Sequence, residues 1–223
     1  AGLVGKFIIE KLAKIPVEVD IASEFRYRDP FVDDKTLFIA ISQSGETLDT
    51  LAALREAKNK GARILSVVNV VGSSVARESD DVFYTWAGPE IAVASTKAYT
   101  TQLMVLYLLA LYFAQVRGTL HDERAAGLRR ALWDLPGQAE LVLGDTSEIS
   151  SAAERYYCFN GFLYMARGIN LASALEGALK VKEIAYVHAE GYAAGEMKHG
   201  PIAMIDPTFA TIAVAVKSST YDK

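Results

Sequence analysis

Cysteine is almost absent: Cys158 is the single one in 223 residues. That excludes an internal disulfide framework and a multi-cysteine metal site, and it fits a reducing, cytoplasmic interior. Positive charge is also scarce. Lys and Arg number 23 against 27 Asp and Glu, a formal net charge of −4. An acidic balance argues against nucleic acid as the main partner, because phosphate backbones select basic faces. No run reaches the roughly 18–20 uninterrupted apolar residues that a membrane span needs. The nearest, residues 103–116, is interrupted by Tyr107, Tyr112 and Gln115 and reads as a buried helix. Histidine is limited to three residues and HExxH does not occur, so a metal is not expected. No signal-peptide pattern precedes the first helical stretch. A start at Ala1, without Met and directly in helical pattern, suggests a fragment.

What is present is ordinary globular material: 51% apolar and 22% charged residues, enough for one large domain or two of roughly 100 residues each. Residues 3–14 read as an amphipathic helix, with Leu3, Val4, Phe7, Ile8 and Leu12 on one stripe. A short strand is expected over 17–22. The continuous apolar run 36–42 is the kind of strand buried on both faces of a parallel sheet. A turn (43–46), a helix (47–60) ending at Gly61, and a second buried strand (63–70) follow. A short helix over 73–78, a strand over 81–86 and a long apolar helix over 96–116 complete this half. Helices over 122–135 and 138–155, broken at Pro136-Gly137, lead to a second pattern: strand 162–166, helix 171–187, strand 211–216. Short-interval alternation of strand and helix means α/β with parallel sheets. The division is drawn at 1–135 and 136–223, and the halves read as loose copies of one strand–polar turn–helix unit.

Four stretches carry chemistry. Ser42-Gln43-Ser44-Gly45-Glu46-Thr47 lies where a buried strand ends and a helix opens, the edge at which open α/β sheets bind ligands. Its hydroxyls and unpaired backbone N–H groups make a neutral cradle for a phosphate; a plain helix start capped by Ser44 or another hydroxyl is equally compatible. The absence of a P-loop lysine and of GxGxxG points to a small phosphorylated metabolite rather than a nucleotide. Val93-Ala94-Ser95-Thr96-Lys97 forms a second polar turn before a helix. Ser95 is placed to cap that helix, and Lys97 sits against the dipole preference. Glu176, Lys180 and Glu183 share a face of an otherwise apolar helix; they are either a solvated charge row or a pair tuned for acid/base work. The Gly-rich stretch 188–201 reads as an irregular loop in which His199 is a candidate general acid/base or a plain loop histidine. Cys158, between Tyr157 and Phe159, reads as a buried thiol; Tyr107, Tyr112 and Phe113 read as helix core, and His121 as surface.

Taken in order and spacing, these motifs, within the longer stretches Glu90 to Gln102, Ala174 to Glu183 and Gly195 to Pro201, resemble the isomerase region of the glucosamine-6-phosphate synthase family. That region has two sugar-isomerase (SIS) domains. The resemblance implies two flavodoxin-like SIS units, each a parallel sheet flanked by helices, the second incomplete. It implies that Ser42, Gln43, Ser44 and Thr47 hold the phosphate of fructose 6-phosphate and that Val93 and Ser95 line the sugar. Glu183 would move a proton between C1 and C2 of the fructosimine on the way to glucosamine 6-phosphate, Lys180 would assist it, and His199 would open the ring from a neighbouring subunit. A homodimer with shared sites, no metal and no cofactor follow from the same resemblance. So does a glutaminase domain in the full-length protein, in a pathway of amino-sugar and UDP-GlcNAc precursor synthesis. A Gly-Thr-Ser turn just upstream of Ala1 and a lysine-bearing tail beyond Lys223 are implied as well. The alternatives are a non-catalytic SIS module that senses sugar phosphates and a related SIS isomerase or deglycase.

Overall fold

The computed structural model describes residues 1–221. In chain order the elements are α1 (Gly2–Ala13), α2 (Ala22–Phe25), β1 (Leu37–Ser42), α3 (Leu48–Asn59), β2 (Arg63–Val68), α4 (Ser74–Glu78), β3 (Asp81–Tyr84), α5 (Lys97–Val116), α6 (Asp122–Gly144), α7 (Ser147–Tyr156), β4 (Gly161–Ala166), α8 (Asn170–Ala185), β5 (His188–Ala193) and β6 (Phe209–Ala213); two short 3-10 turns, Ala194–His199 and Pro201–Met204, lie between β5 and β6. The chain divides into two compact units, Ala1–His121 and Asp122–Lys223. Each holds a three-stranded parallel sheet, ordered β1-β2-β3 in the first and β5-β4-β6 in the second.

In the first unit the core forms where α3 lies on the sheet. Leu54, Ile64, Val68 and Val75 are fully buried in one cluster, each of them contributing about 1.5–3 kcal/mol through loss of apolar surface from water. Phe25 from α2 stacks at a tilt on Phe38 of β1, ring centroids 5.2 Å apart. α1 packs on α5 closely enough that a Cβ on Gly5 would sit 3.2 Å from Leu106. The last carbonyls of α1 are satisfied by residues that follow α5: Arg117 donates to Ala13 O at 3.0 Å and Thr119 to Leu12 O at 2.7 Å. α5 is long and apolar enough to cross a membrane by length and composition alone. Its packing on α1, with Leu106, Leu109, Ala110 and Leu111 buried, is that of a core helix, although Tyr112 is exposed rather than core.

In the second unit β4 is central, flanked by β5 and β6, and α8 packs on β4 and β5. The helix backbone approaches β5 so closely that a Cβ on Gly191 would lie 2.8 Å from Leu175 Cα.

The structure corrects several expectations. Residues 17–21 form no strand. Val17, Val19 and Ile21 alternate, but a strand exists only through a ladder partner, and none pairs there among the described residues. α6 runs through Pro136 without a break; the interruption falls instead at residues 145–146, before α7. Cys158 is exposed. The stretch expected as an irregular loop contains β5, whose parallel register matches Gly161 with His188 and Ala166 with Ala193.

Candidate functional site

The first constellation is the turn between β1 and α3. β1 ends in Ser42, which is buried. Its hydroxyl accepts the Gly45 N–H at 3.0 Å and lies 3.4 Å from the Thr47 hydroxyl. The Ser44 hydroxyl accepts the Glu46 N–H at 3.2 Å. Gln43 is tied through its carbonyl to the Asn69 N–H at 3.1 Å. The hydroxyls therefore hold the turn's own shape. Thr47, not Ser44, is the residue at the helix boundary, and no side chain caps α3. The first N–H groups of α3 keep their donor capacity, next to exposed Thr47 and half-buried Ser44 and Gln43. Gly45 has φ +66°, and a Cβ there would meet Ser73 Oγ at 2.1 Å. Glu46 turns its carboxylate away, accepting the Ser74 N–H at 2.8 Å. This bonding to Ser74 holds its pKa below the ordinary carboxylate value.

The second constellation follows β3. Asn69, just after β2, donates to the Gly88 carbonyl at 2.7 Å and accepts from Ala87 N–H at 2.8 Å and from the Thr85 hydroxyl at 3.0 Å. It fixes the entrance of the loop that carries Val93 and Ser95. Val93 is almost fully exposed and Ala94 is buried, so the loop is anchored by one side chain and presents its neighbours. Ser95 does not cap α5. The boundary residue is Thr96, which makes no side-chain cap bond. The cap comes from Glu90, whose carboxylate accepts the Thr96 and Ala98 N–H groups at 3.1 and 3.0 Å.

The third constellation is on α8. Lys180 Nζ lies 2.6 Å from Glu183 Oε2 and 3.2 Å from Glu176 Oε1, with side-chain exposures of 22%, 31% and 23%. This is a partly desolvated triad, not a solvated charge row. Burial works against the Lys180 ammonium, but its bonds to Glu183 and Glu176 outweigh that and raise its pKa above the ordinary value. His199 closes the 3-10 turn after β5 and is exposed, just ahead of Gly200 at φ 141°. Among the described residues no group of three or more His, Cys, Asp or Glu is arranged to hold a metal ion. Ser42, Gln43, Ser44, Thr47, Val93 and Ser95 thus belong to the first unit; Lys180, Glu183 and His199 belong to the second. Asn69 and the capping role of Glu90 were not apparent in the sequence. Each acts across a distance that local patterning does not span.

The SIS domain model matches residues 1–112 and 156–223. The chain belongs to the SIS domain family. This SIS chain is 58% identical over its whole length to glutamine–fructose-6-phosphate aminotransferase [isomerizing] of Clostridium tetani, and 53% identical to the enzyme of that name from Thermus thermophilus. It spans 37% of the length of those relatives. Among solved structures it is similar to the C-terminal domain of glucosamine-fructose-6-phosphate aminotransferase from Francisella tularensis, with TM-score 0.96 and 43% identity, over 99% of this chain and 63% of that one. Both matched segments of the SIS model contain one of the parallel sheets described above.

Proposed function

We propose that this chain carries out the isomerising step in the synthesis of glucosamine 6-phosphate from fructose 6-phosphate. The observation that carries the reading is the Lys180–Glu183 contact of 2.6 Å on a half-buried helix face, in a chain 58% identical to an enzyme named for this reaction. An aldose–ketose rearrangement needs a carboxylate that accepts a proton at one carbon and returns it at the next. Glu183 is that base. It removes a proton from C1 of the fructosimine; the C1–H pair becomes a C1=C2 bond while the C2=N pair goes to nitrogen, which takes up a proton. The C1 hydroxyl then loses its proton and closes to the carbonyl, and the C1=C2 pair takes a proton at C2 from Glu183, which exchanges with solvent in part. Lys180, held charged by its two carboxylate neighbours, orients Glu183 through their 2.6 Å contact. The phosphate is gripped by Ser42, Gln43, Ser44 and Thr47, whose turn adds hydroxyls to the free donors of α3. Val93 and Ser95 line the sugar. A grip distant from the reacting carbons supplies orientation.

His199 would serve ring opening, and it would do so from a second copy of the chain. Chain order supports this. Glu183 stands just before the start of β5 and His199 just after its end, and six residues of strand separate those edges by roughly 17–20 Å. The active form is accordingly a homodimer with shared sites, joined in the full-length protein to a glutaminase domain that delivers ammonia. It would work in the cytoplasm at the head of UDP-GlcNAc precursor synthesis.

The test is proton exchange into fructose 6-phosphate in deuterated water, followed by NMR. Deuterium is expected at C1 of fructose 6-phosphate and at C2 of any glucose 6-phosphate formed, with exchange lost in Glu183→Gln while binding of the sugar phosphate persists. Undiminished exchange in that variant would remove Glu183 from the role of base.

A further inference from the structure

The loop that presents Val93 and Ser95 is closed at its exit by Glu90. One carboxylate oxygen takes both backbone donors, Ala98 N–H at 3.0 Å and Thr96 N–H at 3.1 Å, and the other accepts the Thr96 hydroxyl at 3.3 Å. α5 has no acidic residue in its first turn and opens with Lys97. An anion is therefore wanted at this helix start, and the chain supplies it from outside the helix. Bonding to Ala98, with help from Thr96 and from the charge of Lys97, keeps the Glu90 carboxyl below its ordinary pKa. The entrance of the same loop is held by Asn69 through Gly88 and Ala87. Between these two clamps only Ala94 is buried, so the clamps bear most of the burden of fixing where Val93 and Ser95 lie.

We infer that Glu90 is a positioning residue for sugar recognition: its carboxylate closes the 90–98 loop so that Val93 and Ser95 are preset, and it fills the α5 donors so that the substrate's phosphate is directed to the 42–47 turn alone. This rests on the fructose 6-phosphate reading above. Glu46 is disposed of in a comparable way, its carboxylate bonded to the Ser74 N–H. Asp49, in the first turn of α3, is engaged differently, through an ion pair with Arg26 at 2.9 Å.

Calorimetry on the unaltered chain, Glu90→Ala and Glu90→Gln, with fructose 6-phosphate and with inorganic phosphate, tests the inference. A loop left to order itself on binding weakens affinity by about five- to tenfold. That loss is expected for fructose 6-phosphate with Glu90→Ala, while inorganic phosphate, which uses only the turn, binds the turn as before. Glu90→Gln keeps an acceptor oxygen and should recover fructose 6-phosphate affinity to within about twofold. Equal fructose 6-phosphate affinity in Glu90→Ala overturns the inference and leaves the functional reading standing. An equal loss of both ligands, or no recovery in Glu90→Gln, also overturns it, because Glu90 would then be general scaffold or act by charge alone. Failure of the unaltered chain to bind fructose 6-phosphate overturns both. Amide hydrogen exchange gives a ligand-free check: the Thr96 and Ala98 amides should exchange about tenfold or more faster in Glu90→Ala with the rest of α5 unchanged, and unchanged protection at those two amides counts against the clamp.

Discussion

At Gly45 two constraints coincide. The backbone is left-handed there, φ +66°, and an added Cβ would sit 2.1 Å from Ser73 Oγ and 2.5 Å from Ser73 Cβ. A left-handed Ala costs about 1–2 kcal/mol and an overpacked contact about 1–3 kcal/mol more. Gly45→Ala is therefore expected to lower stability by about 2–5 kcal/mol in urea titrations and to weaken phosphate binding, because the turn must shift to clear Ser73 and so distorts the bond from the residue-45 N–H to the Ser42 hydroxyl. The double variant Gly45→Ala/Ser73→Gly should recover the steric share only; Ser73→Ala should recover little, because Ser73 Cβ is itself in the way. A second expectation concerns pH. The folded pKa of Lys180 is raised above 10.5 by Glu183 and Glu176, against the opposing effect of burial. A base with a raised pKa stabilises the fold fully below its unfolded pKa and loses that contribution as pH climbs through the folded value. The stability difference between the parent and Lys180→Met should be level from neutrality to about pH 10 and shrink above it; a difference that instead grows on the alkaline side would contradict the triad. Residue by residue, legibility followed locality. Glu183 and Lys180 were visible because three-residue spacing puts them on one helix face. The Ser95 cap was misassigned because Glu90, which does the capping, lies outside the helix and returns through space.

β5 and residues 17–21 differ from their sequence pattern for one reason: their state is decided by partners remote in sequence. β5 is the sequence HAEGYA, with no apolar alternation and a glycine at its centre. It is a strand because β4 beside it offers a full ladder from Gly161 to Ala166 and because α8 needs a surface without a side chain at Gly191. The reverse held for residues 17–21, which alternate well and have no ladder. α6 continues across Pro136, which the breaker rule alone would have ended, while residues of strongly periodic or continuously apolar segments, such as β1, β2, α3 and α5, were placed within a residue or two of their observed ends. The Gly191 contact makes a prediction at this scale. Because Leu175 Cα and N lie 2.8 and 3.0 Å from the position of a Cβ there, the obstacle is helix backbone, which cannot rotate aside. Gly191→Ala should displace α8 as a body, lowering stability by about 1–3 kcal/mol. Activity should fall further than folding does, because Lys180 and Glu183 ride on the displaced helix. Retained turnover in a variant with measurably reduced stability would mean that the α8 face does not set the chemistry.

Across the whole molecule the two sheets use different strand orders, β1-β2-β3 and β5-β4-β6. The likeness between the halves read from strand–turn–helix pattern is therefore one of local units, not of strand-for-strand order. The two orders are the sequential stretch and the first-strand-central stretch of the flavodoxin-like arrangement 2-1-3-4-5. The parallel α/β class was legible because buried strands and helices alternate at short intervals. The strand order was not, since it depends on which neighbours a strand finds. The same topology separates Glu183 from His199 along β5, and this yields the prediction that most directly probes the assembly. If one copy supplies Glu183 and another His199, Glu183→Gln and His199→Asn are each inactive alone. In a mixed dimer the two defects fall together in one site and leave the other intact. Equal amounts, unfolded and refolded together, give half mixed dimers, so about a quarter of all sites should work. Deuterium incorporation into fructose 6-phosphate by the mixture, against each variant refolded alone, measures this. Recovery near that fraction requires the shared site; a mixture as silent as its components would return His199 to the same copy as Glu183, or to no part in the reaction.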